Sequence, residues 1–221
     1  GNDALSLEGQ KAMEDAIQEK YPDNGFQKLE SDSVDPVNGE KFLLKCLCAV
    51  GLAAVLMIIY IAFRFRKIGG WSAGVVAVIA LLHDVAVIYF TFVVFRMPVD
   101  DNFIAVVLTI LGYSLNDTII IYDRIRENRR IMGPKAEIGE LVNASINQTL
   151  TRTINTSVAT VMAVGVVVVV GLVYNLSSVV TFALPLMFGI ICGCYSSTCI
   201  TGPLWVVWRR YRAKKLDAKK A

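Results

Sequence analysis

Apolar residues in this chain come in long unbroken runs instead of at scattered core positions. Five blocks, residues 42–63, 71–95, 103–122, 155–174 and 179–208, each reach about 20 residues, the length at which a helix rising 1.5 Å per residue crosses roughly 30 Å of hydrocarbon. The polar residues collect between the blocks and at the two ends. This pattern predicts an α-helical, multi-pass membrane protein with five spans, and it excludes a water-soluble enzyme of the same size. Composition agrees, with 55% hydrophobic residues and a mean hydropathy of +0.54 over 221 residues.

The polar segments have periods of their own. Over residues 6–20, Met13, Ala16 and Ile17, followed by Tyr21, recur at three- and four-residue spacing with acids between them, which predicts an amphipathic helix. "YPDNG" then supplies a turn, and residues 26–34 alternate enough for one strand. About forty residues of this kind cannot bury a core, so residues 1–41 are expected to be the last part of a small α/β domain outside the membrane. Between the third and fourth spans, Ile138, Leu141, Val142 and Ile146 lie on one helical face, so residues 131–151 are expected to form an amphipathic helix in the membrane interface. The fifth block holds Pro185 and the spacing Gly189-x-x-x-Gly193, small residues that let helices approach closely in lipid.

The net charge of +3 matters less than its distribution. Residues 1–41 are acidic, whereas residues 209–221, Arg64–Lys67 and the segment "DRIRENRR" from Asp123 to Arg130 are basic. The other two connections, near Asp100 and Asn175, are acidic or neutral. By the positive-inside rule, the N-terminal segment lies outside, the spans alternate, and the basic tail ends in the cytoplasm, where it anchors at the membrane edge and binds no nucleic acid. Asn143, Asn147 and Asn155 head glycosylation sequons on the inner side, where they carry no message; Asn175 falls outside. The chain starts at Gly1 without a signal peptide, so an upstream span is expected to deliver the outer segment.

Cys46, Cys48, Cys192, Cys194 and Cys199 all fall within apolar blocks and are read as buried, inert thiols. No zinc spacing occurs, and a lone His is not a metal site; no metal or cofactor is expected.

The chemistry concentrates where charge is expensive. "GYSLNDTIIIY" places Asn116 and Asp117 inside the third block, and His83 and Asp84 lie near the middle of the second. An Asp at the bilayer centre costs roughly 2.5–3.5 kcal/mol on insertion scales, a cost tolerated beside a partner or a water-filled path. Burial penalises an ionised carboxyl and a nearby cation favours it. Movement of Arg152, at the inner edge of the fourth block, relative to Asp117 would therefore load and unload a proton. A fixed Asn–Asp–Arg packing cluster is the alternative. His83 and Asp84 diverge by about 100° on a helix, and either a proton relay or a structural hydrogen bond fits them.

"LHDVAVIYF", "GYSLNDTIIIYDRIREN" and "SINQTLTRTINTS" strongly resemble the SecF family, subunits of the SecDF protein-export complex in the resistance-nodulation-division superfamily. The resemblance covers essentially the whole chain, and "ESDSVDPVNGEKF" looks like that family's junction between outer domain and second span. It implies a six-span bundle paired with a homologous SecD half, as a separate chain or fused upstream. It also implies a bacterial cytoplasmic membrane and a proton or sodium gradient that promotes passage of preproteins through the SecYEG channel. Carried over by motif, Asp117 is the ion-coupling carboxylate, Arg152 its basic partner and Asn116 its polar neighbour, with Asp123, Arg124 and Arg126 at the cytoplasmic end of the motif. Other readings are a lipid or small-molecule exporter of the same superfamily, a non-catalytic scaffold, and an intramembrane aspartyl protease pairing Asp84 with Asp117.

Overall fold

The computed structural model describes residues 7–20, 39–133 and 136–218. It divides into two compact units, Gly1–Cys48 and Ala49–Ala221. In the first, α1 (Leu7–Lys20) matches the amphipathic helix expected from its apolar spacing, with Met13 and Ile17 exposed. The expected strand at 26–34 lies outside the described residues.

The second unit is an up-and-down helical bundle. Its elements are the later part of α2 (Gly39–Arg64), α3 (Gly70–Val94), α4 (Asp101–Met132), α5 (Ile138–Val173), α6 (Ser177–Tyr195) and α7 (Gly202–Asp217). A π-helical turn, Ser196–Thr201, joins α6 to α7 without a break. Five stretches are long and apolar enough to span a bilayer, with α6, the π turn and α7 counted as one. The chain is thus a multi-pass α-helical membrane protein, and the five sequence blocks fall within these helices to within one residue, Phe95 and Tyr174 being helix caps.

Three helices run further than the sequence blocks suggested. The basic segment from Asp123 to Arg130, read as a connection, continues α4 to Met132. Nothing in it breaks a helix, and Asp123–Arg126 and Arg124–Glu127 form i,i+3 ion pairs along it. The helix stops only at Gly133, whose φ of 86° suits glycine. Likewise the expected interfacial helix is not separate: residues 138–151 and the fourth block form the single 36-residue helix α5. Its apolar face, Leu141 and Val142 with Ile138 and Ile146 alongside, packs on the cluster around Tyr122 and Trp205 instead of on lipid. Much of the basic tail is likewise helical, as α7.

Two apolar cores fill the bundle. One, at the end carrying Arg64, Arg126 and Arg209 (the basic end), gathers Ile61, Phe65, Ile121, Tyr122, Ile125 and Trp205. The other gathers Ile88, Phe92, Val106, Ile110 and Ile190. On α4 a polar layer, Ser114, Asp117 and Thr118, separates them. Close approach of α2 and α3 depends on Gly74, where a Cβ would sit 3.2 Å from the Ile58 carbonyl oxygen, and on Gly70, where it would overlap the Ala62 backbone.

Candidate functional site

Ser114, Asp117 and Thr118 stand at i, i+3 and i+4, so they share one face of α4, and all three are buried, Asp117 at 3% exposure. Asn116 is turned about 100° away and is exposed. The pair adjacent in sequence is therefore split in space, and only the carboxylate enters the bundle.

Asp117 Oδ2 is buried with no hydrogen-bond partner. Arg152 on α5 is near enough to act on it electrostatically, yet no ion pair joins them among the described residues. Arg152 itself is exposed, and the next residue, Thr153, is buried with an unpartnered hydroxyl. Among the described residues, no hydrogen bond or ion pair joins Asn116, Asp117 and Arg152 into the packing cluster considered as an alternative. A buried polar group left unpaired costs about 1–3 kcal/mol, more when charged, so Asp117 occupies a position that packing alone would not favour.

A second centre was only half visible in the sequence. Asp84, fully buried on α3, accepts hydrogen bonds at Oδ2 from the Ser114 hydroxyl (2.7 Å) and the Ser196 hydroxyl (2.8 Å). Its Oδ1 lies 3.2 Å from His83 Nδ1 and accepts from Cys192 Sγ at 3.7 Å. Thr118 donates to Ser197 Oγ (3.2 Å), which lies 3.3 Å from Ser114 Oγ. A line of hydroxyls thus runs from the α4 face that bears Asp117 to the Asp84 carboxylate. The π turn begins at Ser196 and places Ser196 and Ser197 together inside the bundle, a distortion that recurs at functional sites. The sequence signal for these partners is "YSSTCIT", hydroxylated residues inside an apolar run.

His83 and Asp84 were expected to diverge; their side chains bend together instead, while His83 stays partly exposed. The cysteines are not uniformly buried either: Cys46 is, Cys48 and Cys199 are exposed, and Cys192 and Cys194 are intermediate. Donor atoms of His83, Asp84 and Cys192 lie within 4.8 Å of one another, close enough for a small ion. Asp84 Oδ2 is already bonded to Ser114 and Ser196, while Oδ1 faces His83 and Cys192 themselves. Those bonds also occupy the carboxylate that an aspartyl-protease pair would need, and Asp84 makes none to Asp117.

At the basic end, Asp123 Oδ1 is within ion-pair range of Arg64 (3.1 Å) and Arg126 (2.8 Å), though without hydrogen-bond alignment at that oxygen; Arg64 donates to Oδ2 at 3.2 Å. Arg124 donates to Gln148 Oε1 (2.6 Å) and pairs with Glu127. Asn128 donates to Ser145 and to Gln148, tying α4 to α5. The guanidiniums of Arg64 and Arg126 also lie over the Phe65 ring. A cleft of about 580 Å³ opens beside these residues, and Arg152 lines it. The motif residues Asp123, Arg124 and Arg126 are thus gathered with Arg152 at one place.

Gly189 and Gly193 of α6 face α4. A Cβ at Gly189 would meet Ile110 Cγ1 at 2.6 Å, and one at Gly193 would meet Ser114 Cβ at 3.2 Å. The two glycines let α6 come close enough for Ser196 to reach Asp84.

Residues 13–211 match the model of the family described as protein export membrane protein SecD/SecF, C-terminal. Over 200 residues the chain is 37% identical to the protein translocase subunit SecF of Alicyclobacillus acidocaldarius, covering 90% of this chain and 63% of that protein. It is 38% identical over 189 residues to the protein translocase subunit SecDF of Bacillus subtilis, covering 85% of this chain and 25% of that one. A crystal structure of SecDF from Thermus thermophilus, described as a translocon-associated membrane protein, superposes with a TM-score of 0.74 at 34% identity, covering 93% of this chain and 27% of that one. The chain thus spans under two thirds of the SecF relative and about a quarter of the SecDF relatives.

Proposed function

This chain belongs to the SecD/SecF C-terminal family of protein export membrane proteins, and from that premise we propose that it is the ion-coupling part of a protein-export machine. The machine would draw on a proton or sodium gradient across the bacterial cytoplasmic membrane to promote passage of preproteins through the SecYEG channel. A SecD-like half, fused or separate, would complete it, as the long SecDF relatives suggest. The charge asymmetry supports an orientation with the N-terminal segment outside and the basic end in the cytoplasm. Family membership weighs against the exporter of lipids or small molecules.

The observation that carries the coupling role is the state of Asp117. It is buried, one oxygen has no partner, and Arg152 acts on it from a distance without closing an ion pair. A carboxylate locked for packing would be bonded, as Asp84 is. One that must alternately hold and release a cation cannot be. Arg152 approaching Asp117 favours release, and Arg152 withdrawing towards the cleft favours uptake. Asn116, exposed beside it, would face the partner half or lipid instead of the ion.

The test uses the complete protein with its SecD-like half in vesicles. Asp117→Asn keeps the shape and removes the titrating group, so the assembly should form normally and gradient-stimulated precursor export should fall to the level seen without a gradient. Arg152→Ala should behave alike. Wild-type stimulation in the Asn variant would leave Asp117 with a structural role only.

A further inference from the structure

The cleft at the basic end has a charge balance that its own residues do not settle. Four arginines line it, Arg124, Arg126, Arg130 and Arg152, against two carboxylates, Asp123 and Glu127. Asp123 is taken up by Arg126 together with Arg64, and Glu127 by Arg124. Arg130 and Arg152 are exposed and have no carboxylate within ion-pair distance among the described residues. Two guanidiniums, each a planar fork suited to phosphate or carboxylate oxygens, therefore open onto one space. Its volume of about 580 Å³ lies within the roughly 300–1,000 Å³ usual for ligand sites.

Depth in the bundle indicates what kind of anion fits. The cleft begins where the apolar belt stops. Ile120 lines its wall beside Asp123, and on α5 the exposed Ala159 and Ala163 follow Arg152 at seven and eleven residues, on the same side of the helix. Beyond them, Val166 and Val170 continue an exposed apolar surface on that side of α5. An occupant would therefore meet fixed positive charge at its head and exposed apolar helix surface further along the same side. A free anion uses only the first of these; an anionic amphiphile uses both.

We propose that this cleft between α4 and α5 is a binding site for the phosphate headgroup of an anionic phospholipid, with its acyl chains lying along the exposed face of α5. Arg130 and Arg152 hold the phosphate, and Arg124 and Arg126 are kept in place by their own carboxylates as a second layer of charge. The proposal does not depend on an ion-coupling role for Asp117.

The complete protein, with its SecD-like half, is extracted from nanodiscs containing phosphatidylglycerol and phosphatidylcholine, and retained lipid is read by native mass spectrometry. Phosphatidylglycerol should be retained in preference. Arg130→Gln should weaken that retention about fivefold, the contribution of one basic residue near a membrane surface, and Arg130→Lys should lose less. Arg129→Gln carries the same charge change on the same helix outside the cleft lining and should leave retention unaltered. Glycerol 3-phosphate and inorganic phosphate should compete only weakly. Equal retention of the two lipids, no effect of Arg130→Gln, or an equal effect of Arg129→Gln would each overturn the site. Competition by glycerol 3-phosphate on equal terms would overturn the lipid and leave a free-anion site. Loss of retention only when the SecD-like half is present would show that a protein surface fills the cleft.

Discussion

Replacing Gly189 with alanine places a single methyl group where α6 meets α4. That methyl would lie 2.6 Å from Ile110 Cγ1 and 2.8 Å from Cδ1, against roughly 3.5–4.0 Å for carbon atoms in contact. Either Ile110 or α6 must move by on the order of 1 Å. Ile110 is fully buried in the apolar core, so it has no open direction in which to go. Overpacking of this kind costs about 1–3 kcal/mol, partly offset by up to about 1 kcal/mol from alanine's better helix propensity. A net loss of about 1 kcal/mol is expected, too small to interpret alone. The informative quantity is the coupling with Ile110→Ala, which removes both clashing atoms at its own cost of about 2–5 kcal/mol. The double variant should lose about 1–3 kcal/mol less than the sum of the singles. Denaturant unfolding in a mild detergent gives the four stabilities of the cycle. Additivity within about 0.5 kcal/mol would mean that α6 and α4 do not meet at this point, and the account of how Ser196 reaches Asp84 would fail with it.

Two further outcomes follow from the polar contacts. Asp84→Asn should stay close to wild type in stability, because an amide oxygen can still accept from Ser114 and Ser196, whereas Asp84→Ala should lose about 3 kcal/mol or more; equal stability of the two variants in thermal unfolding would contradict the network. Glu137 is held down at about 2, from 4.5, by its hydrogen bond to Arg210 first and then by the backbone N–H groups of Glu140 and Gly139. A carboxyl lowered on folding contributes stability above its unfolded value and loses it as pH falls through its folded value. The stability lead of wild type over Glu137→Gln should therefore hold from pH 7 to about 5 and shrink towards pH 2, and a lead independent of pH would rule this linkage out.

Much of the architecture was legible because lipid imposes a length on apolar runs, and nothing else in the chain produces five blocks of that length. Helix ends were harder to read. Asp123–Arg130 looked like a loop because charge was taken to mark the water phase, yet a helix keeps its hydrogen bonds beyond the membrane until a residue such as Gly133 stops it. Asp117 could be found from cost alone, since an acid inside an apolar run requires a reason. Its neighbour Asn116 could not be sorted from it without the helix rotation that sends one inward and one outward. Ser114, Ser196 and Ser197 were missed for the opposite reason. Serine is cheap to place in an apolar helix, so its presence carries little information until a buried carboxylate is seen bonded to it.

The length of α5 has a mechanical consequence. Thirty-six residues make a rod of about 54 Å, and Arg152 stands about 21 Å from its first residue. The start of the rod is tied to α7 through Glu137 and Arg210. With that tie as a fulcrum, a swing of about 5° would carry the far end by about 5 Å but Arg152 by only about 2 Å, for a rod of that length. Such a lever is geared down: a broad sweep at the membrane face opposite the basic end becomes a fine adjustment at the guanidinium. Force exchanged there and the approach of Arg152 to Asp117 would then be two readings of one angle.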